Sequence, residues 1–330
     1  MLIRYWPKQT NVRFMNLRFA GAMFSVLLIA ASAFLLATRG LNFGVDFAGG
    51  TVMELEKTET VTVPAVRAAM PINAEVNSAR GTDNREIVVV KFGEAPADLL
   101  GDEFKALPAD QQAERASGAT NELIVRTLKE AFSLTDEDIL RNDSVGPKVS
   151  KELFTDGITA LVVALAMMLV YIWFRFQWQF SVGAIAALAH DVIITLGMFS
   201  LLWIEFNLTS IAALLTIIGY SMNDTVVVFD RIREDRRKYK KMPDREVIDL
   251  SLNVTLSRTL LTSGTTLISL FAIYFLGGPV LQGMSFALIF GIVIGTYSSI
   301  FIASALVLSL GMDFTKKTAE EVQGFTGVGP

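Results

Sequence analysis

Six stretches of this 330-residue chain run for about 20 residues with few charges, and each is long enough to cross roughly 30 Å of hydrocarbon as a helix. They lie at 19–38, 157–174, 181–203, 209–229, 259–276 and 285–310, the last long enough to tilt. The apolar share of 52% and the mean hydropathy of +0.46 reflect these runs, since a soluble domain usually holds about 45–50% apolar residues. The pattern predicts a polytopic α-helical membrane protein with six transmembrane helices.

Basic residues in short loops predict the orientation, because the cytoplasmic side retains them during insertion. Arg4, Lys8, Arg13 and Arg18 precede the first run, Arg175 separates the second from the third, and Arg231, Arg233, Arg236, Arg237, Lys238, Lys240, Lys241 and Arg245 follow the fourth. Lys316 and Lys317 follow the sixth, whereas loops 204–208 and 277–282 hold no Lys or Arg. Both termini are therefore expected in the cytoplasm, with the long stretch after the first run on the other side of the membrane. The first run has the basic lead and small residues of a secretory signal, but it continues past them to Leu36 and Ala37, which suits an uncleaved anchor.

The expected divisions are a cytoplasmic N-terminus (1–18), a first helix (19–38), an extracytoplasmic domain (39–153), helices 2 to 6 (154–312) with a basic cytoplasmic loop at 231–257, and a cytoplasmic tail (313–330). Periodicity in 39–153 changes from apolar blocks to short alternating runs. Strands are expected at 51–56, 74–80, 85–92 and 138–145, with a turn at 81–84. A short helix at 64–70 and an amphipathic helix carrying Leu123, Ile124, Thr127, Leu128 and Ala131 complete the order β-α-β-β-α-β, a small α+β ferredoxin-like domain. It carries no catalytic constellation. Net charge of −4 argues against nucleic acid as a partner, and the absence of cysteine removes disulfides and Cys-ligated metals; no metal or cofactor is implied.

Ionisable side chains inside the spans each cost about 2.5–3.5 kcal/mol on insertion scales, so each needs a reason. The candidates are His190 and Asp191 in the third span, Asn223 and Asp224 in the fourth, and Arg258 at the start of the fifth. Antiparallel running at 1.5 Å per residue puts all of them at similar depth. Asp224 beside Arg258 is suited to exchange protons, and the competing reading is a static ion pair pinning two helices. Gly291 and Gly295 form a small-xxx-small pair that points to close helix packing. Residues 244–256 read as an amphipathic helix on the cytoplasmic surface.

Five segments resemble the SecF family of the bacterial Sec protein-export machinery. These are Phe43-Gly-Val-Asp-Phe-Ala-Gly-Gly50, Val145-Gly-Pro147, Ala187-Leu-Ala-His-Asp-Val-Ile193, the fourth-span segment from Ile218 to Arg231 and the fifth-span entry from Leu252 to Thr266. The resemblance implies an RND-type half-unit that pairs with SecD and assists the SecYEG channel, with YajC as a further partner. It also implies that proton flow drives the extracytoplasmic domains as they handle translocating polypeptides. The chain would then be a proton-motive-force-driven subunit and not an enzyme. The family's intramembrane Asp and Arg fall on Asp224 and Arg258, with Asn223, Asp191 and His190 near the path. Gly44, Asp46, Gly49 and Gly50 order the turn after the first span, and Gly146 and Pro147 precede the second.

Three rivals stand beside this reading. A drug or metabolite exporter of the same superfamily is expected to carry two repeats and larger outer domains. An aspartyl protease dyad of Asp191 and Asp224 lacks the Gly-x-Gly-Asp pattern, since Ser221-Met-Asn-Asp224 stands there. A structural scaffold for the channel is the third.

Overall fold

The computed structural model describes residues 10–80 and 85–311. The expected turn at 81–84, the tail at 313–330 and the basic residues Arg4, Lys8, Lys316 and Lys317 lie outside them. Six helices are long and apolar enough to cross a membrane. Hydrocarbon offers the backbone no hydrogen bonds, so each crossing segment satisfies its own N–H and C=O groups as a helix.

The chain opens with α1 (Arg18–Thr38), then β1 (Asn42–Phe43), α2 (Val45–Ala48), β2 (Gly50–Glu56), α3 (Val63–Ala69), β3 (Ala74–Arg80) and β4 (Glu86–Phe92). The short α4 (Asp102–Lys105), α5 (Ala109–Phe132) and β5 (Ile139–Val145) follow, then α6 (Pro147–Arg175) and α7 (Trp178–Leu202). β6 (Glu205–Phe206), α8 (Leu208–Lys238), α9 (Asp244–Leu276) and α10 (Gly278–Ser298) lead into a π-helical turn, Ser299–Ala303, and α11 (Ser304–Leu310).

Between α1 and α6, strands β2 to β5 form an antiparallel sheet in the order β3-β4-β2-β5. That is the strand order of a split β-α-β-β-α-β unit. Met53, Leu55, Val76, Val88 and Val90 project from one sheet face onto Val66 of α3 and Ile124 and Leu128 of α5, and all are fully buried. In the helical unit α7, α8 and α10–α11 bury about half of their apolar windows, while α1, α6 and α9 stay largely uncovered at the periphery. The ionisable residues on α7 and α8 therefore sit on the central helices.

Several boundaries differ from the sequence expectation. α5 starts at Ala109, inside the polar stretch, because that stretch is rich in Ala, Gln and Glu, which favour helix when nothing breaks them. α6 begins at Pro147, with proline at the first helical position, and so extends seven residues beyond the expected start of 154. The expected surface helix at 244–256 is not separate: no Gly or Pro interrupts it, and it continues into the fifth span as one 33-residue helix. With α8 running to Lys238, the expected loop at 231–257 is mostly helix. The N-terminal segment lies along α9, where the Val12 amide donates to Asn253 (2.8 Å) and the Met15 amide to Asp249 (2.9 Å).

The paired glycines after α2 are required by geometry. Gly49 and Gly50 have φ of +76° and +116°, and a Cβ on Gly50 would lie 2.6 Å from the Phe92 carbonyl oxygen. Gly50→Ala is expected to destabilise the full chain by about 2–4 kcal/mol, combining backbone strain with a displaced ladder strand. Gly40→Ala, at φ +72° with open space around it, is expected to cost about 1 kcal/mol. Thermal unfolding of the purified chain in detergent, comparing the two variants, reads the difference.

Candidate functional site: two buried carboxylates and the junction with the sheet domain

Asp224 lies on α8 with 7% exposure. Its Oδ1 accepts from the Thr259 hydroxyl of α9 at 2.5 Å, and its Oδ2 accepts from Ser299 at the start of the π turn at 2.7 Å. Asp191 on α7 is fully buried. Its Oδ2 accepts from Ser221 of α8 (2.6 Å) and Ser298 of α10 (2.8 Å), and its Oδ1 is 2.9 Å from His190 Nδ1. Consecutive serines thus serve the two carboxylates. π turns are rare and concentrate at functional sites because they re-aim side chains along a helix.

Close helix approach makes these contacts possible. Gly291 and Gly295 of α10, the expected small pair, face Ile217 and Ser221 of α8, where an added Cβ would lie 2.4 Å from Ile217 and 3.0 Å from Ser221. The same closeness brings α1 to α7, since Gly197 meets Ser32 directly. From His190 the polar chain continues outward: Nε2 is 3.0 Å from Ser25 Oγ of α1, Ser25 Oγ is 3.0 Å from Tyr297 Oη, and Tyr297 donates to the Gly21 carbonyl at 2.7 Å. Sequence reasoning found both aspartates and the histidine but missed Ser25, Ser221, Thr259, Tyr297, Ser298 and Ser299. Their only signal was a hydroxyl in an apolar run, and of the six only Ser221 and Thr259 lie within one helical turn of an ionisable candidate.

Arg258 and Asn223 do not join the buried cluster. Both side chains are exposed on the surface of the helical unit, and among the described residues no ion pair joins Arg258 to Asp224. Thr259, the next residue on α9, takes the place beside the carboxylate. The Arg258 charge still acts on Asp224 from a longer distance. Thr262, Thr265 and Ser269 continue the exposed face of Arg258 along α9, and the exposed Thr216 and Gly219 lead to Asn223 along α8. No group of three or more His, Asp or Glu among the described residues is arranged to hold a metal.

The Phe43 to Gly50 segment ties the sheet domain to the helical unit. β1 pairs in parallel with β6, and Gly44 N–H donates to the Phe206 carbonyl. Asp46 Oδ2 accepts the Leu208 amide at 3.0 Å, so it caps the first turn of α8 from a distant part of the chain. A carboxylate there also faces the positive end of the helix dipole. Rings of Phe43, Phe47, Phe154 and Phe206 meet edge-on or tilted at 5.4–6.4 Å. Ser150 of α6, just past Gly146 and Pro147, donates to the Val45 carbonyl. Beside this junction a cleft of about 580 Å³ separates the open sheet face (Glu54, Val89) from the α7–α8 loop and Met284, and Lys91 and Glu205 pair across it at 2.6 Å.

A bundle of six membrane-crossing helices with ionisable groups at its centre and one inserted α/β domain defines a multi-pass membrane protein of transporter type. The family model described as "Protein export membrane protein SecD/SecF, C-terminal" matches residues 124–313, and the "SecD/SecF GG Motif" model matches residues 34–56. The protein translocase subunit SecF of Cereibacter sphaeroides is 45% identical over 94% of this chain and 93% of that protein. The crystal structure of SecDF, a translocon-associated membrane protein from Thermus thermophilus, superposes with a TM-score of 0.74 at 35% identity, covering 92% of this chain and 39% of that one. SecDF in its super-membrane-facing form gives a TM-score of 0.65 at 34% identity, over 98% and 41% of the two chains. This chain belongs to the SecD/SecF family, on the SecF side of it, and spans well under half the length of the solved SecDF chains.

Removing the Asp46 carboxylate strips α8 of its distant cap. Asp46→Ala is expected to cost about 1 kcal/mol and to speed hydrogen exchange at the Leu208 amide, whereas Asp46→Asn, which keeps an acceptor, largely preserves protection. Hydrogen exchange of the full chain with mass-spectrometric readout over the α8 N-terminus measures both.

Proposed function

We propose that this chain is the half of a proton-driven protein-export motor that pairs with SecD and promotes late steps of polypeptide export through SecYEG, with YajC as an accessory. Both termini face the cytoplasm, the chain crosses the bacterial inner membrane, and the ferredoxin-like domain stands in the periplasm. Protons pass by way of Asp224, with Arg258, Asn223, Asp191 and His190 along the path.

One observation carries this reading: Asp224 is buried at the centre of the helical unit with only hydroxyl partners. A carboxylate with hydroxyl donors and no bonded cation can gain and lose a proton without breaking an ion pair. A membrane potential supplies about 2.3 kcal/mol per charge per 100 mV to whatever such a step moves.

The polar face through Arg258 and Asn223 supports the pairing. A guanidinium and several hydroxyls are costly against lipid, so a second subunit is the better cover. The length of the solved SecDF chains leaves room for such a partner beside the part this chain matches. The protease dyad gains no support, because Asp191 and Asp224 bond different hydroxyls and share no hydrogen.

The test is export of a secreted reporter into membrane vesicles under an imposed proton gradient. Asp224→Asn is expected to assemble with SecD and lose the gradient-dependent part of export. Arg258→Ala is expected to lose most of it, with weaker copurification of SecD. Unchanged gradient dependence in a normally assembled Asp224→Asn complex makes the residue a packing device and favours the scaffold reading.

A further inference from the structure

We infer that one proton is held between His190 Nδ1 and Asp191 Oδ1, which makes this pair a proton-binding site separate from Asp224. Its part in export rests on the proton-driven reading above; the location of the proton rests on hydrogen-bond direction alone.

A carbonyl oxygen can only accept, so at 2.7 Å Tyr297 spends its single hydroxyl hydrogen on Gly21. Tyr297 Oη is then an acceptor toward Ser25 Oγ, 3.0 Å away, and Ser25 must give its own single hydrogen there. Ser25 Oγ is in turn an acceptor toward His190 Nε2, so Nε2 carries a hydrogen. A neutral imidazole has one ring hydrogen and this one is used. The 2.9 Å contact between Nδ1 and Asp191 Oδ1 therefore contains a further proton, either as imidazolium facing carboxylate or as neutral imidazole accepting from the protonated acid. Both descriptions hold one proton more than a neutral histidine beside an ionised aspartate.

Every group facing the pair fits this count. Asp191 Oδ2 accepts from Ser221 of α8 and Ser298 of α10. His190 meets Ser25 of α1 and the tilted Tyr297 ring of α10, with centroids 6.0 Å apart. The other carboxylate nearby, Asp224, is taken up by Thr259 and Ser299. No lysine or arginine bonds the pair among the described residues, so the extra proton takes the place of a counter-cation.

Release of that proton has a structural consequence. The remaining ring hydrogen would serve the Asp191 carboxylate, and Nε2 would become an acceptor facing Ser25. Ser25 would have to turn its hydrogen to Nε2, so that either two lone pairs oppose each other between Ser25 and Tyr297 or Tyr297 gives up its bond to the Gly21 carbonyl to donate to Ser25. The contact between α1 and α10 must then rearrange. Proton occupancy is thereby linked to the seating of α1, the helix that leads directly into β1 and the Gly49-Gly50 bend.

The chain has one histidine, which allows a direct test. The full chain is labelled at the histidine ring nitrogens, reconstituted in bilayers with its unlabelled paired subunit, and read by solid-state NMR at neutral pH, with His190→Asn to identify the signal. The expected result is a protonated Nε2, as imidazolium or as the Nε2–H tautomer. Asp191→Asn is expected to give neutral imidazole that keeps Nε2–H, because the chain of acceptors beyond it is unchanged. A neutral Nδ1–H tautomer with bare Nε2, in wild type or in Asp191→Asn, overturns the inference. Loss of the proton-driven reading through the Asp224→Asn export assay leaves this result standing, so the two failures are distinguishable.

Discussion

Each carboxylate oxygen of Asp191 and Asp224 is met by a hydroxyl or ring nitrogen from a neighbouring residue, and that requirement determines how the central helices meet. A buried polar group left without a partner costs several kcal/mol in hydrocarbon. The donors therefore come from α8, α9 and the α10 end. Ser221 of α8 and Ser298 of α10 converge on Asp191 where α10 lays Gly291 and Gly295 against Ile217 and Ser221 of α8. Ser298 and Ser299 divide between the two acids where α10 widens into the π turn. Replacing the glycines would separate the helices and strand the acids, so packing and proton chemistry depend on the same few atoms.

What was legible in the sequence follows from these energies. Six crossing helices could be read because about 20 apolar residues in a row have few other uses. Asp191 and Asp224 could be read because a charge at that depth is too costly to be casual. Their hydroxyl partners could not. Thr255 and Thr262 of α9 return their hydroxyls to carbonyls of their own helix, whereas Thr259 sends its hydroxyl to Asp224. Nothing in the residue type distinguishes them; only the rotation of α9 does. The same rotation turns Arg258 outward, so that Thr259 and not Arg258 stands beside the carboxylate. The start of α6 and the continuity of 244–256 with the fifth span escaped for another reason, since a helix that leaves the membrane carries no hydropathy signal once polar residues begin.

A proton at the centre must also be felt by the sheet domain if it is to do mechanical work. Two routes leave the buried cluster, and both end at the Phe43 to Gly50 segment. One runs along α8, a continuous helix in which Leu208 and Asp224 are separated by about 24 Å of rigid rise, to the amide held by Asp46. The other runs through Ser25 into α1, which enters β1 after Gly40. The segment where they converge has a short helix, a two-residue strand pairing and two glycines in conformations other residues resist.

The contacts around that segment differ in strength from one side of the sheet domain to the other. At the junction, four phenylalanine rings, the Asp46 cap and the Ser150 bond to Val45 interlock three parts of the chain. Across the cleft, the Lys91–Glu205 pair is part-exposed on both sides, and such pairs are worth about 0–1 kcal/mol. A tilt of the sheet domain that opens the cleft breaks the weak side and keeps the aromatic side intact. On the proposed proton-driven reading, such a tilt would uncover the open sheet face bearing Glu54 and Val89.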